Sequence, residues 1–263
     1  MRLTNILLVT AIATIIACAG LIHIHSDSNA VEEKYGIICA MDVEIELLLS
    51  SMEEDTVEKI SGTDYHIGKL CGKDVVLVKC GYGKVNAAMH TQTLIDRYGV
   101  TAVINSGVAG TLDENVGIGD IVVSTETVQH DFEMTEIGWE PGLIPEVGTV
   151  AIKADAHLRQ RAVTGIHAAD PNIKVFQGRV CTGDQFINGE DEMHKIIDVF
   201  GGLCCEMEGG SIAQVCFLND VPFVVIRAIS DDVDGTKPED YPAFEKQMAR
   251  VCAEMTINIL KAL

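Results

Sequence analysis

The sequence predicts a single α/β domain in which helices cover both faces of a mixed, mostly parallel central sheet, giving three layers. From Tyr35 onward, β-rich runs alternate with helical patterns, an order typical of α/β folds. Several strands are apolar on both faces, as in Val75–Val78, and such strands need helices on both sides. Glycine-bearing loops follow many of the strands. Ligands of open α/β sheets bind at loops of this kind.

The elements follow one another along residues 35–263. Short runs rich in apolar and β-branched residues predict strands at 35–40, 74–80, 101–106, 120–128, 174–182, 203–206 and 222–229. Longer helical patterns predict helices at 42–52, 84–98, 155–168, 190–200, 208–219 and 241–262. The sequence has no internal repeat or low-complexity segment, so one domain is expected over this range.

The composition excludes several classes of protein. Of the 263 residues, 48% are hydrophobic and 5% aromatic, which suits a buried sheet and excludes a disordered or collagenous chain. The formal net charge is −20. A surface this negative repels phosphate backbones, so a nucleic-acid partner is not expected.

The first residues predict a separate exported segment. Residues 6–22 carry no charge. Toward the end of this apolar run, the small residue Ala17 precedes Cys18, a pair that resembles a bacterial lipoprotein processing site. We expect a signal peptide over residues 1–18 with lipidation of Cys18, and a polar tether over residues 19–34. The alternative is an uncleaved N-terminal anchor helix. Both interpretations predict an exported protein that is attached to a membrane.

The remaining cysteines predict neither a disulfide framework nor a zinc site. They form no C-x-x-C pair, and most lie in apolar runs, where a thiol behaves as a small hydrophobic residue. No metal and no cofactor are therefore expected. The eight residues concerned are Cys39, Cys71, Cys80, Cys181, Cys204, Cys205, Cys216 and Cys252.

Three acidic residues are candidates for a functional site. Asp231 ends the most apolar strand of the chain, and Glu208 closes the segment Glu206-Met207-Glu208 after another apolar run. An unpaired buried charge is costly, so these acids must be paired, capped or functional. Glu44 lies in the first turn of a predicted helix, where an acid also favours the helix dipole without any function. Carboxylates at the ends of different strands would converge on one cleft.

Seven segments of the chain resemble the 5′-methylthioadenosine/S-adenosylhomocysteine nucleosidase family in order and spacing. They are Tyr35–Leu48, Val78–Val85, Asn105–Leu112, Val116–Ser124, Thr182–Gly189, Glu206–Glu208 and Pro222–Asp231. The resemblance covers essentially all of residues 35–263. It implies a nucleoside phosphorylase-like fold and a homodimer. It also implies hydrolysis of the N-glycosidic bond of methylthioadenosine and S-adenosylhomocysteine, with release of adenine and a 5′-thioribose.

The resemblance implies roles for residues at the reacting bond. Asp231 corresponds to the acid that protonates adenine N7, which requires a raised pKa or a proton shared with the base. Glu44 corresponds to the general base that orients and deprotonates water. Arg227 would help to order the water or Glu44. Glu208 corresponds to the acid that binds the ribose hydroxyls, with Met207 against the sugar.

The resemblance also implies a substrate pocket around these acids. Phe186 would pack on adenine, and the main chain of Ile187 would bind its hydrogen-bonding edge. The positions near the sugar, its 5′-thio group and the water are Met41, Tyr82, Val108, Ala109 and Gly110. Three positions would reach the 5′-substituent from a neighbouring subunit: Met134, Ile137 and Pro145.

Two positions depart from the family. Val108 stands where the family usually carries Ser or Thr, so a hydroxyl close to the ribose and the water is lost. Tyr82 is bulkier than the usual aliphatic residue and would narrow the 5′ pocket. Both changes are expected to affect rate or substrate preference. Neither removes a catalytic carboxylate, so the activity itself is still expected.

Three alternative functions follow from the sequence. A phosphorylase needs arginines beside the ribose site, but Arg97 is the only arginine between Val31 and Glu126, so water is the better nucleophile. A related nucleosidase would cleave adenosine or futalosine. An exported nucleoside-binding lipoprotein without catalysis would be expected to lack part of the set Glu44, Glu208 and Asp231.

Overall fold

A computed structural model describes residues 33–231 and 241–263, which belong to one compact unit, Glu33–Leu263. Its strands are β1 (Lys34–Cys39), β2 (Glu53–Ile60), β3 (Thr63–Leu70), β4 (Lys73–Lys79), β5 (Ala102–Thr111), β6 (Ile121–Gln129), β7 (Ala151–Lys153), β8 (Val175–Thr182), β9 (Cys204–Glu206) and β10 (Phe223–Asp231). Its α-helices are α1 (Asp42–Ser51), α2 (Lys84–Tyr98), α3 (Ala156–Ala169), α4 (Glu190–Phe200), α5 (Gly209–Leu218) and α6 (Tyr241–Ala262). A 3₁₀ turn spans Thr135–Ile137.

The predicted signal peptide and Cys18 lie outside the described residues, as does nearly all of the tether. Strand β1 begins at Lys34, one residue before its predicted start. None of the helices in the described ranges combines the length and the apolar character that a membrane crossing requires.

The six predicted helices and seven predicted strands are confirmed, although β5 and β10 extend further toward their carboxyl ends than expected. Strands β2, β3 and β7 were not predicted. Every residue of β2 from Glu53 to Lys59 is exposed, and five of the eight β2 residues are acidic or basic in EEDTVEKI, so the sequence of this strand shows no apolar face. Strand β7 has only three residues.

The strands form one mixed sheet with the order β10-β6-β8-β9-β5-β1-β4-β3-β2, while β7 pairs with β6. An additional parallel pairing joins β10 to β5. The strands β5, β10, β6, β8 and β9 therefore close into a ring, and β1, β4, β3 and β2 extend from it. Within the described chain, half of the pairings are antiparallel. The mixed sheet is confirmed, but it is half parallel rather than mostly parallel, because the unpredicted strands β2, β3 and β7 add antiparallel pairings. The closure of the sheet was not predicted.

Helices cover both faces of the sheet, as the doubly apolar strands predict. Along β1, Ile37 packs in a core with residues of α1, α3 and α6, whereas its neighbour Ile38 packs with residues of α2 and α5. Successive strand residues point to opposite faces, so the two helix groups lie on opposite sides. A third apolar cluster joins α4 to β8 and β9.

The cysteines are free thiols throughout the described chain. Seven of them are buried, as predicted, and Cys71 is exposed. Burial raises the pKa of the Cys39 and Cys204 thiols well above the usual range. These thiols are therefore packing groups and stay protonated.

Candidate active site

A cavity of about 100 Å³ lies at the carboxyl ends of β1, β5 and β10. Twelve predicted site residues line it: Met41, Glu44, Tyr82, Val108, Ala109, Gly110, Phe186, Ile187, Met207, Glu208, Arg227 and Asp231. Five lining residues were not predicted: Ala40, Gln185, Cys205, Glu206 and Ser230.

Glu44 is held by the start of α1 and by β5. Its Oε2 accepts hydrogen bonds from the backbone N–H groups of Ala40 and Met41 at 2.8 and 2.9 Å, and its Oε1 accepts one from Val108 N at 3.2 Å. Burial raises the pKa of Glu44, while the charge of Arg227 and these three donors oppose the increase. The carboxylate is thus fixed in orientation and made more basic, as a general base requires.

Arg227 lies in the middle of β10 and is 1% exposed. It donates to Asn105 Oδ1 at 2.6 Å and forms an ion pair and hydrogen bond with Glu206. A second ion pair joins its Nη2 to Glu208 Oε2 at 3.5 Å. Burial alone would lower the pKa of Arg227, but the charges of Glu206, Glu208 and Glu44 outweigh it and raise the pKa. The guanidinium therefore stays charged.

Glu206 lines the cavity but was not among the predicted site residues. Its two carboxylate oxygens accept hydrogen bonds from the backbone of Glu208 and Gly209 and from the Thr182 hydroxyl. It also provides the carboxylate that pairs with Arg227. All of these groups hold Glu206 as a fixed counter-ion. Its place between apolar residues and Glu208 was the available signal in the sequence.

Glu208 follows β9 and faces the start of α2. Its Oε1 accepts a hydrogen bond from Gly83 N at 2.9 Å. Burial raises the pKa of Glu208 to about 7, since the nearby charges of Glu206 and Glu44 add to the effect and Arg227 and Gly83 oppose it. Near neutral pH the carboxyl group is therefore present in both protonation states.

Asp231 is the last residue of β10 and is 3% exposed. The Ser230 hydroxyl donates to its Oδ1 at 2.7 Å. Gly110 lies beside it in the β5–β10 register, and a Cβ at Gly110 would lie 2.5 Å from Asp231 Oδ2. Only a glycine at this position leaves space for the carboxyl group within the cavity.

Phe186 and Ile187, the residues expected to contact adenine, lie in the loop between β8 and α4, which we call the base-side loop. Tyr82 lies before α2. Ile187 is 9% exposed, whereas Phe186 is 61% exposed and Tyr82 is 63% exposed. Phe186 and Tyr82 therefore offer aromatic surface at the cavity mouth, and Ile187 lies deeper. An aromatic ring at an open mouth can stack on a flat heterocycle.

Three predicted residues are not in the cavity. Met134 precedes the 3₁₀ turn, Ile137 ends it and is 68% exposed, and Pro145 is partly buried. These positions are expected to act on a neighbouring subunit, so their absence from the cavity of their own chain does not contradict that prediction.

The arrangement can perform acid–base chemistry across one small cavity. Glu44, Glu208 and Asp231 come from three different elements and surround it. Two carboxyl groups with different surroundings can serve as acid and base in glycoside hydrolysis. No three His, Cys, Asp or Glu side chains in residues 33–231 and 241–263 are grouped so as to hold a metal ion.

Comparison with known proteins places this fold and site in the Phosphorylase superfamily. The model of the Phosphorylase superfamily matches residues 34–263, which include every residue that lines the cavity.

Relatives in this class narrow the assignment. The 5′-methylthioadenosine/S-adenosylhomocysteine nucleosidase of Shewanella sediminis is 38% identical over 233 residues, covering 88% of this chain and all of the relative. The nucleosidase of the same name from Colwellia psychrerythraea, solved in complex with adenine, is 37% identical with a TM-score of 0.83, over 88% of this chain and 96% of that one. The chain therefore belongs to the 5′-methylthioadenosine/S-adenosylhomocysteine nucleosidase family.

A solved structure with a different name has the same fold. The futalosine hydrolase of Helicobacter pylori is 30% identical to this chain, with a TM-score of 0.82, over 89% of this chain and all of that one. The fold alone therefore does not separate the two kinds of nucleoside named in these structures.

Proposed function

We propose that the protein hydrolyses the N-glycosidic bond of 5′-methylthioadenosine and S-adenosylhomocysteine, releasing adenine and a 5′-thioribose. The observation that carries this function is that Glu44, Glu208 and Asp231 line one cavity in a chain of the nucleosidase family. Relatives that match over their whole length bear the name of this activity.

Asp231 is the proposed acid for the leaving group. Cleavage passes through an oxocarbenium-like sugar, and adenine leaves readily only after gaining a proton. The Ser230 hydroxyl fixes one oxygen of Asp231, and Gly110 gives the other oxygen the room that it needs. This carboxyl group can therefore hold a proton toward adenine N7.

Glu44 is the proposed base for the attacking water. Three backbone N–H groups fix both of its oxygens, and burial raises its pKa. A base that is fixed and more basic than a free carboxylate removes a proton from water more effectively. The positive charge of Arg227 opposes the increase in the pKa of Glu44 and favours its ionised form.

Water is also favoured over phosphate as the nucleophile. Among the described residues that line the cavity, Arg227 is the only Lys or Arg, and it is already paired with Glu206 and Glu208. A phosphate dianion would have to enter beside these carboxylates without a cation of its own, which is unfavourable.

Glu208 and the loop around Phe186 are proposed to hold the two halves of the nucleoside. An ionised Glu208 accepts hydrogen bonds from ribose hydroxyls, with Met207 against the sugar. Phe186 packs on adenine, and the backbone of Ile187 binds its edge. Since the remaining face of Glu208 is held by Gly83 and Arg227, the sugar is bound in a fixed position relative to Glu44.

An adenine-release assay tests the function. Purified protein is incubated with methylthioadenosine, S-adenosylhomocysteine, adenosine or futalosine, each with and without phosphate, and the freed base and sugar are identified. We expect adenine and the free thio-sugar from the first two substrates, independent of phosphate. A sugar 1-phosphate as product would show a phosphorylase instead. Turnover of futalosine alone would favour the activity named for the Helicobacter pylori hydrolase.

The protein is also proposed to act as a homodimer in which Met134, Ile137 and Pro145 reach the partner's cavity. The support is the apolar surface near this turn, where Ile137 is 68% and Trp139 is 43% exposed. Large apolar side chains in such a position favour a protein–protein contact. The dimer would complete the pocket on the side of the 5′-substituent.

Export and attachment to a membrane through Cys18 form a further proposal. Its support is the uncharged segment 6–22 with Ala17 before Cys18. Labelled palmitate fed to cells that express the full chain should appear in the protein and be lost in Cys18→Ala. If Cys18→Ala stays in the membrane fraction without any label in the wild type, an uncleaved anchor is the correct interpretation.

A further inference from the structure

The loop that carries the base-side residues contains neither helix nor strand between Thr182 and Glu190. Phe186, which lies in this loop, is 61% exposed. An exposed loop residue is held in position only if the loop backbone is fixed by its neighbours. The groups that fix this loop therefore determine how well the site receives a flat base.

Two carboxylates and one lysine fix the loop at Asp184. The backbone N–H of Asp184 donates to Asp131 Oδ2 at 2.8 Å. Lys84 Nζ donates to the other oxygen of Asp131 at 2.6 Å, and Lys84 N donates to Asp184 Oδ1 at 2.7 Å. These three bonds form a closed circuit between the start of α2, the second residue after β6 and the base-side loop.

The circuit is partly shielded from water. The Lys84 side chain is 17% exposed and that of Asp131 is 23% exposed, so their ion pair is screened less than a pair on the open surface. Burial opposes ionisation of Asp131, but its bonds with Lys84 and Asp184 outweigh this and lower its pKa. Asp131 therefore stays charged and remains an acceptor for both partners.

The start of α2 also holds Glu208, the residue proposed to bind the ribose hydroxyls. Gly83 N donates to Glu208 Oε1, and the next amide, Lys84 N, donates to Asp184. Two successive backbone N–H groups thus connect the sugar side of the cavity with the base side. Gly83 has a φ of +89°, and a Cβ there would lie 2.8 Å from Asp184 Oδ1, so only glycine permits this close approach.

We propose that Lys84, Asp131 and Asp184 are positioning residues that fix the base-side loop at a set distance from Glu208, so that adenine and ribose are bound in one productive geometry. The proposal rests on the proposed function, since it assigns the base to this loop. None of the three residues lines the cavity, so they act through Phe186, Ile187 and Glu208.

Removal of the circuit should weaken binding of the base. Without Asp131, the loop samples more conformations, and the ligand must then supply the free energy that orders it. Ground-state and transition-state binding of the base weaken together, which raises KM and leaves kcat nearly unchanged.

The test compares four variants of the full chain. Asp131→Ala removes the carboxylate that accepts from both Lys84 Nζ and Asp184 N, and Asp131→Asn keeps an acceptor for Asp184 but loses the charge. Lys84→Met removes only the ammonium group. The control is Asp74→Ala, which breaks a Lys69–Asp74 pair of similar length, 2.7 Å, outside the cavity. The measured quantities are kcat, KM, the Kd of adenine by calorimetry, and thermal stability.

We expect Asp131→Ala to raise both KM and the adenine Kd by about tenfold, with kcat within about threefold of the wild type. Asp131→Asn and Lys84→Met should show smaller increases, and Asp74→Ala none. A fall in kcat at unchanged adenine Kd would overturn the proposal, as would equal effects of Asp131→Ala and Asp74→Ala.

Failure of this proposal is distinguishable from failure of the proposed function. If the wild type releases no adenine from any nucleoside, the hydrolase function falls. Adenine calorimetry on the wild type and the variants still reports whether the circuit supports base binding. If the wild type hydrolyses the substrates and Asp131→Ala binds adenine equally well, only the positioning role is wrong.

Discussion

Charge balance dominates the cavity at the scale of single residues. Glu44, Glu206 and Glu208 surround one buried cation, Arg227, whose guanidinium is paired directly with Glu206 and Glu208. One positive charge cannot neutralise three carboxylates in a poorly solvated site, so at least one of them binds a proton more tightly than in water. Burial, reinforced by the charges of Glu206 and Glu44, raises the pKa of Glu208 to about 7.

This raised pKa predicts how stability depends on pH. The carboxyl group of Glu208 has a pKa near 4.5 in the unfolded chain and about 7 in the folded protein, so the folded state binds the proton more tightly. The contribution of Glu208 to the free energy of unfolding therefore decreases as pH rises from 4.5 to 7 and stays low above that value. In Glu208→Gln this contribution is absent.

Thermal unfolding of wild type and Glu208→Gln between about pH 5 and pH 8 measures the effect. The melting temperature of the variant should improve relative to the wild type as pH increases. Glu46→Gln, an exposed acid in the same domain, serves as the control and should follow the wild type. A constant difference between Glu208→Gln and wild type at every pH would show that the pKa is not raised.

Loss of either proton-transfer group should abolish most of the activity. Asp231→Asn cannot protonate adenine and Glu44→Gln cannot deprotonate water, so each should lower kcat by about 10²- to 10⁴-fold. Adenine release measures kcat, and circular dichroism shows whether the fold persists. Glu46→Gln, two residues beyond Glu44 on the exposed side of α1, should keep full activity. Wild-type rates in either active-site variant would exclude the proposed role.

At the scale of elements, β5 and β10 position most of the site. Their parallel register places Gly107 beside Arg227 and Gly110 beside Asp231. Each glycine leaves room for the charged side chain of its neighbour. The two strands can therefore carry buried charges inside a closely packed sheet without separation of their backbones.

Gly107→Ala tests this close approach. A Cβ at position 107 would overlap Arg227 and lie 2.6 Å from Glu44 Oε1, and both groups are fixed by other bonds. We expect a loss of about 1–3 kcal/mol in the free energy of unfolding together with a large loss of kcat. Denaturant titration and adenine release measure these.

The matched substitution is Gly117→Ala, where the nearest heavy atom to a new Cβ is 3.9 Å away. It should change neither stability nor activity appreciably. Equal stability of Gly107→Ala and wild type would show that the strands have more freedom than this register implies.

Elements with a strong apolar pattern were predictable, and so were the acids that end them. The helix Lys84–Tyr98 and the end of β10 at Asp231 follow from periodicity and from the cost of a buried charge. The hairpin of β2 and β3 was missed because β2 is exposed along nearly its whole length. The role of Glu206 depends on its distance from Arg227, which sequence spacing does not contain. For the same reason the contacts of Lys84 with Asp131 and Asp184 were not predicted.

At the scale of the whole molecule, the proposed dimer predicts that the mass in solution and the activity change together when the interface is disrupted. Ile137→Asp places a charge on an apolar side chain that is 68% exposed, so it should shift the mass in solution from about twice the 28.4 kDa chain toward one chain. Activity should fall with it, because the partner completes the pocket. Light scattering after size exclusion measures the mass.

Val57→Asp is the control for this prediction, since Val57 is 51% exposed on the distant edge strand β2. It should leave both the mass and the rate of adenine release unchanged. A fully active Ile137→Asp protein of unchanged mass would contradict the assignment of this turn to the interface.

The closed ring of strands also determines when the active site can form during synthesis of the chain. Pairing of β5 with β10 joins residues about 120 positions apart along the chain, such as Val103 and Phe223, and contacts between such distant residues form late. Arg227 and Asp231 both come from β10. A growing chain therefore has no catalytic activity until translation has passed its final strand.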